Sequence, residues 1–397
     1  MIKPFSGELL FHPAGIEYSG NSCTHNCVYC FAKNCQAAKY AEFNNAMTFI
    51  RESRKRKTIV AELFNAGYPV CISNKTDPFA LTNWKQTVSM VKLLSANFEN
   101  GIYFQTKTGV GIEETIEAMR GRRNAIWYVT ITCCDDEIAK IVEPNAPATS
   151  ERIKWAIELN KLGFEVEIGF NPLTPYWMTP QRAVEIAKQV NDVKPISVMC
   201  QPLQLSRKVM SIMPQEKKER FLIGDLKEYM KRDNWEFSRL VTHELRKNGI
   251  DAHYAFINEP CNSYKRFRKL YGDKIMPTNF EFVNWLYENQ KTEATFDEFF
   301  EVVTQGDSFF EKRIEGKLDS EYIMRVCNQV WVHHPENQKI HTFKDIFRIF
   351  WNNSEIWLSP NNIDYTMTDG VDSKGNKILV NKLGQRIFNK GQQQTQE

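Results

Sequence analysis

Six short β-rich runs alternate with helical stretches between about residues 15 and 202. Three cysteines packed into eight residues follow the first of those runs, and an aromatic-rich helical region follows the last. Together these predict an α/β protein, a partial (β/α)6 TIM-like barrel of parallel strands with an α-rich C-terminal extension. We divide the chain into residues 1–270, the partial barrel, and residues 271–397, an accessory region ending in a hairpin.

The first run is residues 15–20 (GIEYSG), followed by the cysteine loop and a helix through about Lys39. The second, residues 68–73 (YPVCIS), leads through NKTDPF into a helix from about Thr82. The third, residues 101–107 (GIYFQTK), precedes a helix near residues 113–119. The fourth, residues 125–132 (AIWYVTIT), has its helix at about residues 151–162. The fifth, residues 164–170 (FEVEIGF), ends in NPLTP before a helix from Pro180, where proline suits the first helical turn. The sixth is residues 196–200 (ISVMC). A helix over about residues 233–247 then leads into IDAHYAF at 250–256, read as one further strand. Repeated βα units of this length imply parallel strands with right-handed crossovers, and place ligand chemistry on the loops after the strands.

Beyond about Tyr271 come FEFVNWLYENQ, FDEFFEVV and IHTFKDIFRIFWNN, whose aromatics recur at three- and four-residue spacing, the pattern of core packing. YTMTDGVDSKGNKILV reads as a hairpin turning on its polar centre.

The 397 residues carry 51 basic and 48 acidic side chains, and a net charge of +3 is too small to imply nucleic-acid binding by itself. No apolar run approaches the ~20 residues that span a bilayer, and the N-terminus lacks a signal-peptide layout. The expectation is a cytoplasmic protein with no membrane partner. In a reducing compartment, clustered cysteines more often bind metal or act in catalysis than form disulfides.

The stretch Cys23-Thr-His-Asn-Cys27-Val-Tyr-Cys30 therefore carries the chemistry. Three thiolates can wrap one face of an iron–sulfur cubane, leaving the fourth iron an open position for a reactive ligand. A zinc site using Cys35 or His25 as fourth ligand, in a nucleic-acid-binding protein, is the reading of another class. Zinc motifs usually pair two cysteine hairpins, or cysteines with a histidine pair, and this sequence has neither.

The loop resembles the signature of the radical S-adenosylmethionine (SAM) superfamily, C-x3-C-x2-C with an aromatic residue before the last cysteine, here Tyr29. The resemblance implies a [4Fe-4S] cluster held by Cys23, Cys27 and Cys30, with SAM on the unique iron and reductive cleavage to a 5′-deoxyadenosyl radical. It also implies a reductant partner such as flavodoxin or ferredoxin.

A second resemblance, over about residues 15–202, is to the spore photoproduct lyase-like branch. It rests on Ile72-Ser-Asn-Lys-Thr-Asp77-Pro78-Phe79, on Phe104-Gln-Thr-Lys107, on Val129-Thr-Ile-Thr132, and on Glu143-Pro-Asn-Ala-Pro147 followed by Glu151-Arg152. It implies that Thr76 and Asp77 lie near the methionine end of SAM, Lys107 near its carboxylate, and Thr130 or Thr132 near its ribose. These pairings suit the groups involved. The lyase's cysteine hydrogen donor falls at Asn74 here, so the resemblance supports the cofactor chemistry rather than thymine-dimer repair. The favoured substrate is a nucleobase-containing molecule, small or within a nucleic acid, cleaved or rearranged at a carbon–carbon bond. A radical SAM enzyme acting on a peptide or another small metabolite is the enzymatic alternative.

Other residues complete the candidates. Strand alternation, with Thr130 and Thr132 inward, makes Cys134 the inward member of Cys133-Cys134 and a donor of a hydrogen atom or proton. His253 and Tyr254 on the late strand, and Cys261 in the loop NEPCNSY, are candidate acid–base or radical-relay groups. Two basic clusters, residues 51–57 and 265–269, read as solvated faces or phosphate contacts.

Overall fold

The computed structural model describes residues 3–4, 16–18, 23–30, 43–56, 61, 64–72, 76–205, 207–254, 270, 279–304, 344, 348, 351–352 and 365–382. The helix expected after the cysteine loop, Asn74, Cys261 and the basic run at 265–269 lie outside them.

Eight strands form one sheet in chain order. They are β1 (Lys3–Pro4), β2 (Ile16–Tyr18), β3 (Val70–Ile72), β4 (Ile102–Thr106), β5 (Ala125–Thr130), β6 (Glu165–Leu173), β7 (Ser197–Pro202) and β8 (Asp251–His253). From β2 to β8 every neighbouring pair is parallel. The six expected strands and the further one at 250–256 are thus present, in an open arc: no pairing joins its two ends among the described residues. β1 differs from expectation. It lies antiparallel on β2 at the edge, a place where Pro4 costs no ladder hydrogen bond.

β5 shows why the strands sit where they do. All six of its residues are buried, the continuous pattern of a parallel strand covered on both faces. On the face away from the cavity described below, Trp127 stacks on Phe104 at 4.3 Å and on Phe79 at 5.5 Å. On the inner face, Tyr128 stands beside Gly169 of β6. A Cβ at Gly169 would lie 2.1 Å from the Tyr128 hydroxyl, so only glycine admits this ring.

The helices follow local capping. Thr179 accepts from the Arg182 amide ahead of Pro180, opening the helix Pro180–Asn191. Asp233 caps Asn234–Lys247 in the same way. The fourth unit departs from expectation. A seven-residue helix, Asp136–Val142, precedes the expected one at Thr149–Lys161. Asp135 caps it, but a segment this short carries little periodicity. β6 also outruns its expected end at 170, continuing through Asn171-Pro172 with a shift in its pairing to β7.

In the C-terminal region the helices Asn279–Glu288 and Phe296–Thr304 pack through Phe282, Phe299 and Trp351. The expected hairpin is present as β10 (Tyr365–Val371) and β11 (Lys377–Asn381), and β9 (Glu293–Ala294) adds a third strand. These aromatics belong to the same continuous core as the barrel, with Leu270 packed against Gly101. No helix among the described residues is long and apolar enough to cross a membrane.

Gly169→Ala is expected to destabilise the fold by about 1–3 kcal/mol through overpacking against Tyr128. The check is a lower urea midpoint at unchanged m-value.

Candidate active site

The carboxyl ends of the parallel strands surround a cavity of about 490 Å³. In open α/β sheets this is the end where ligands bind. Cys23, Cys27 and Cys30 all line it, in a loop fed by β2. All three are free thiols, and Cys27 is buried. No three His, Cys, Asp or Glu side chains among the described residues converge on a single metal ion. The three thiols do, however, all line one cavity.

Two sets of bonds hold the loop. The first runs to the segment after the Asp136–Val142 helix. The Val28 amide donates to the Val142 carbonyl at 2.9 Å, the Asn145 amide donates to the His25 carbonyl, and the Asn145 side chain donates to Thr24. The second runs through charge. Tyr29, between two of the cysteines, donates its hydroxyl to Glu143 and lies 3.1 Å from the Thr132 hydroxyl. Glu143 pairs with Arg152 at 2.7 Å, both fully buried, and with Lys107 at 3.7 Å. The Lys107 ammonium also stands 5.7 Å over the Tyr29 ring. Burial alone would push the Glu143 carboxyl up, but Arg152 and then Lys107 outweigh it and hold it at about 2.

Asp77 shows a role different from the one its residue type suggests. One oxygen accepts from the Phe79 amide and the Thr106 hydroxyl, both at 2.9 Å. The other accepts from the Lys107 amide at 2.6 Å and lies 3.2 Å from His25 Nε2. Burial opposes ionisation, yet His25 and these amides hold the carboxyl below its ordinary range. This carboxylate already bonds β4 and the cysteine loop together, though it still lines the cavity.

Thr76, Lys107 and Thr130 line the cavity, as does Tyr29. Thr132 turns its hydroxyl to Tyr29 and to the Asn171 carbonyl. The other candidates lie apart. The Cys134 thiol donates to Asp135 at 3.2 Å and is pushed up to about 11 by burial and by that carboxylate. β5 ends at Thr130, so the strand alternation that aimed Cys134 inward stops before reaching it. His253 is buried 3.2 Å from Glu167, and Tyr254 packs edge-on to Trp235; neither lines the cavity.

The structure adds residues that sequence reasoning passed over. Tyr128 and Gln105 line the inner wall, with Asn171, Gln201 and Gln204 on the later strands and loops. Tyr128 lies two residues before Thr130 and so shares its face, which alternation could have revealed. Glu143 and Arg152 had only the motif context around them, and His25 stood only as a possible fourth zinc ligand. Every described cavity residue falls between positions 23 and 204.

No family model and no curated protein matches the sequence. In structure the chain is similar to spore photoproduct lyase complexed with dinucleoside spore photoproduct, at 14% identity and a TM-score of 0.43, over 62% of this chain and 76% of that one. It is also similar to SuiB of Streptococcus suis, in a structure with the precursor peptide SuiA, at 13% identity and a TM-score of 0.41. That match covers 65% of this chain but 52% of SuiB, about half its length.

Replacing Glu143 by Ala strands Arg152 without a partner and is expected to cost about 3–5 kcal/mol, read by denaturant unfolding. The pH sign follows from the lowered carboxyl. Its contribution is complete above the ordinary value of 4.5 and is lost as pH falls from there towards about 2. Glu143→Gln is expected to lose that component of the acid transition.

Proposed function

We propose that this chain is a radical SAM enzyme similar to the spore photoproduct lyase-like branch. The observation that carries the reading is that three cysteines at C-x3-C-x2-C spacing open on one cavity at the carboxyl ends of a parallel sheet. Cys23, Cys27 and Cys30 would hold a [4Fe-4S] cluster, which with bound SAM supplies a 5′-deoxyadenosyl radical for hydrogen abstraction.

The remaining residues bind and orient. Burial pushes the Cys27 thiol up to about 12, so metal must displace its proton, a cost that Lys107 lessens by favouring the thiolate. Asp77 and His25 keep the cysteine loop against β4, and Glu143 fixes Tyr29 between two ligands. Thr76 and Thr130 offer hydroxyls to the polar parts of SAM, and Lys107 a cation to its carboxylate. Electrons would come from a low-potential donor such as flavodoxin or ferredoxin.

For the substrate we favour a nucleobase-containing molecule, cleaved or rearranged at a carbon–carbon bond. The reading rests on the branch resemblance and on the cavity's uncharged amides. Gln105, Asn171, Gln201 and Gln204 each offer donors beside an acceptor, the complement of a nucleobase edge.

Anaerobic reconstitution tests the reading. About four irons per chain and a brown chromophore are expected, both lost in a Cys23→Ala, Cys27→Ala, Cys30→Ala triple variant. After reduction with SAM and substrate, methionine and 5′-deoxyadenosine are expected products, and deuterium from the true substrate should appear in the latter. Stoichiometric zinc without iron rejects the enzyme in favour of a structural metal protein. Label transfer from a peptide instead of a nucleoside rejects the substrate class alone.

A further inference from the structure

Charges of both signs stand beside the cysteine loop, with the Asp77 carboxylate 3.2 Å from His25 and a second, buried group around Glu143. Two cations, Lys107 and Arg152, face one anion, Glu143, and the Glu143 and Arg152 side chains are fully buried while Lys107 keeps 16% exposure. Buried ion pairs contribute little net stability against packed apolar residues, so stability alone is a weak reason for this group. Its position is more telling. Glu143 reaches the loop through the Tyr29 hydroxyl, and Lys107 overlies the ring of that tyrosine, one residue from Cys30 and two from Cys27.

We propose that Lys107 and Glu143 set the reduction potential of the cluster held by Cys23, Cys27 and Cys30, acting on it with opposite sign. The inference rests on the cluster proposed above. Reduction adds one negative charge to a centre that three thiolates have already made electron-rich. A neighbouring cation stabilises that added charge and a neighbouring anion opposes it, the more so where water is excluded.

Glu143 thus does two things. It binds the guanidinium and ammonium that would otherwise crowd each other, and it cancels one of their charges. That leaves the cluster a stronger reductant, as cleaving a sulfonium demands. Lys107 works the other way and keeps reduction within reach of a biological donor. Tyr29 is the mechanical link and adds no charge of its own. All three are positioning residues in this respect.

The test is an anaerobic redox titration followed by electron paramagnetic resonance, without SAM, on reconstituted wild type, Glu143→Gln, Lys107→Met and Tyr29→Phe, with iron measured on each. Glu143→Gln keeps the shape and loses the charge, so its midpoint is expected to rise. Lys107→Met is expected to lower it. Each shift corresponds to about tenfold in the one-electron equilibrium, about 59 mV. Tyr29→Phe is expected to stay at the wild-type value. Iron-loaded variants whose midpoints do not move, or move in one direction together, overturn the proposal. If Glu143→Gln fails to fold, Lys107→Met decides alone, and a midpoint that does not fall is the negative result. Wild type that takes up no iron overturns the cluster reading instead, a distinguishable failure.

Discussion

The site depends on one buried contact, the Glu143–Arg152 pair with the Tyr29 hydroxyl added to it. A loop of eight residues with three thiols has no reason of its own to hold one shape. Tyr29 supplies it, because its hydroxyl donates to the buried Glu143 and its ring packs 5.6 Å from Trp177. Arg152 is anchored in turn, donating to the Pro147 and Thr130 carbonyls from the start of the following helix. The cysteine loop is thus referenced to β5 and to the helix after it. Distance along the chain, more than a hundred residues, does not matter once parallel strands bring their carboxyl ends together.

The same topology explains why the lining residues come in a regular series. Each strand from β2 to β7 ends at the same side of the sheet and, with the loop after it, contributes two to five described lining residues. Asp77 marks the tightest of these junctions. It binds the next strand's exit and the first loop with two oxygens, so three successive βα turns share one carboxylate. A cavity assembled this way has walls fixed by backbone amides, and only the side chains left over from that bonding can meet a ligand.

Much of this was legible in the sequence. The strands were, because parallel strands read as apolar runs, and the cysteine loop was, because its spacing is compact and rare. The partners of the loop were harder. Glu143 and Arg152 stood in a quoted motif, but nothing in a single sequence says that a glutamate is buried and paired. The resemblance puts Asp77 near the methionine end of SAM, and the fold in addition uses it as an acceptor of backbone amides, a role that spacing does not encode. Cys134 was placed by an alternation that ends with β5 at Thr130. The extra helix at Asp136–Val142 escaped because two turns are too few to show a period, yet it delivers Val142, Glu143 and Asn145 to the loop.

The pair between Glu167 and His253 has a consequence of a different kind. The two residues belong to β6 and β8, which are not neighbours, and they meet at 3.2 Å across the intervening strand. Both side chains are buried, so the pair ties β6 to the edge strand β8 on the same face as Gly169 and Asn171 without lining the cavity itself. A buried acid–imidazole contact of this kind adds a cross-link that the backbone ladder does not supply, since the ladder joins only adjacent strands.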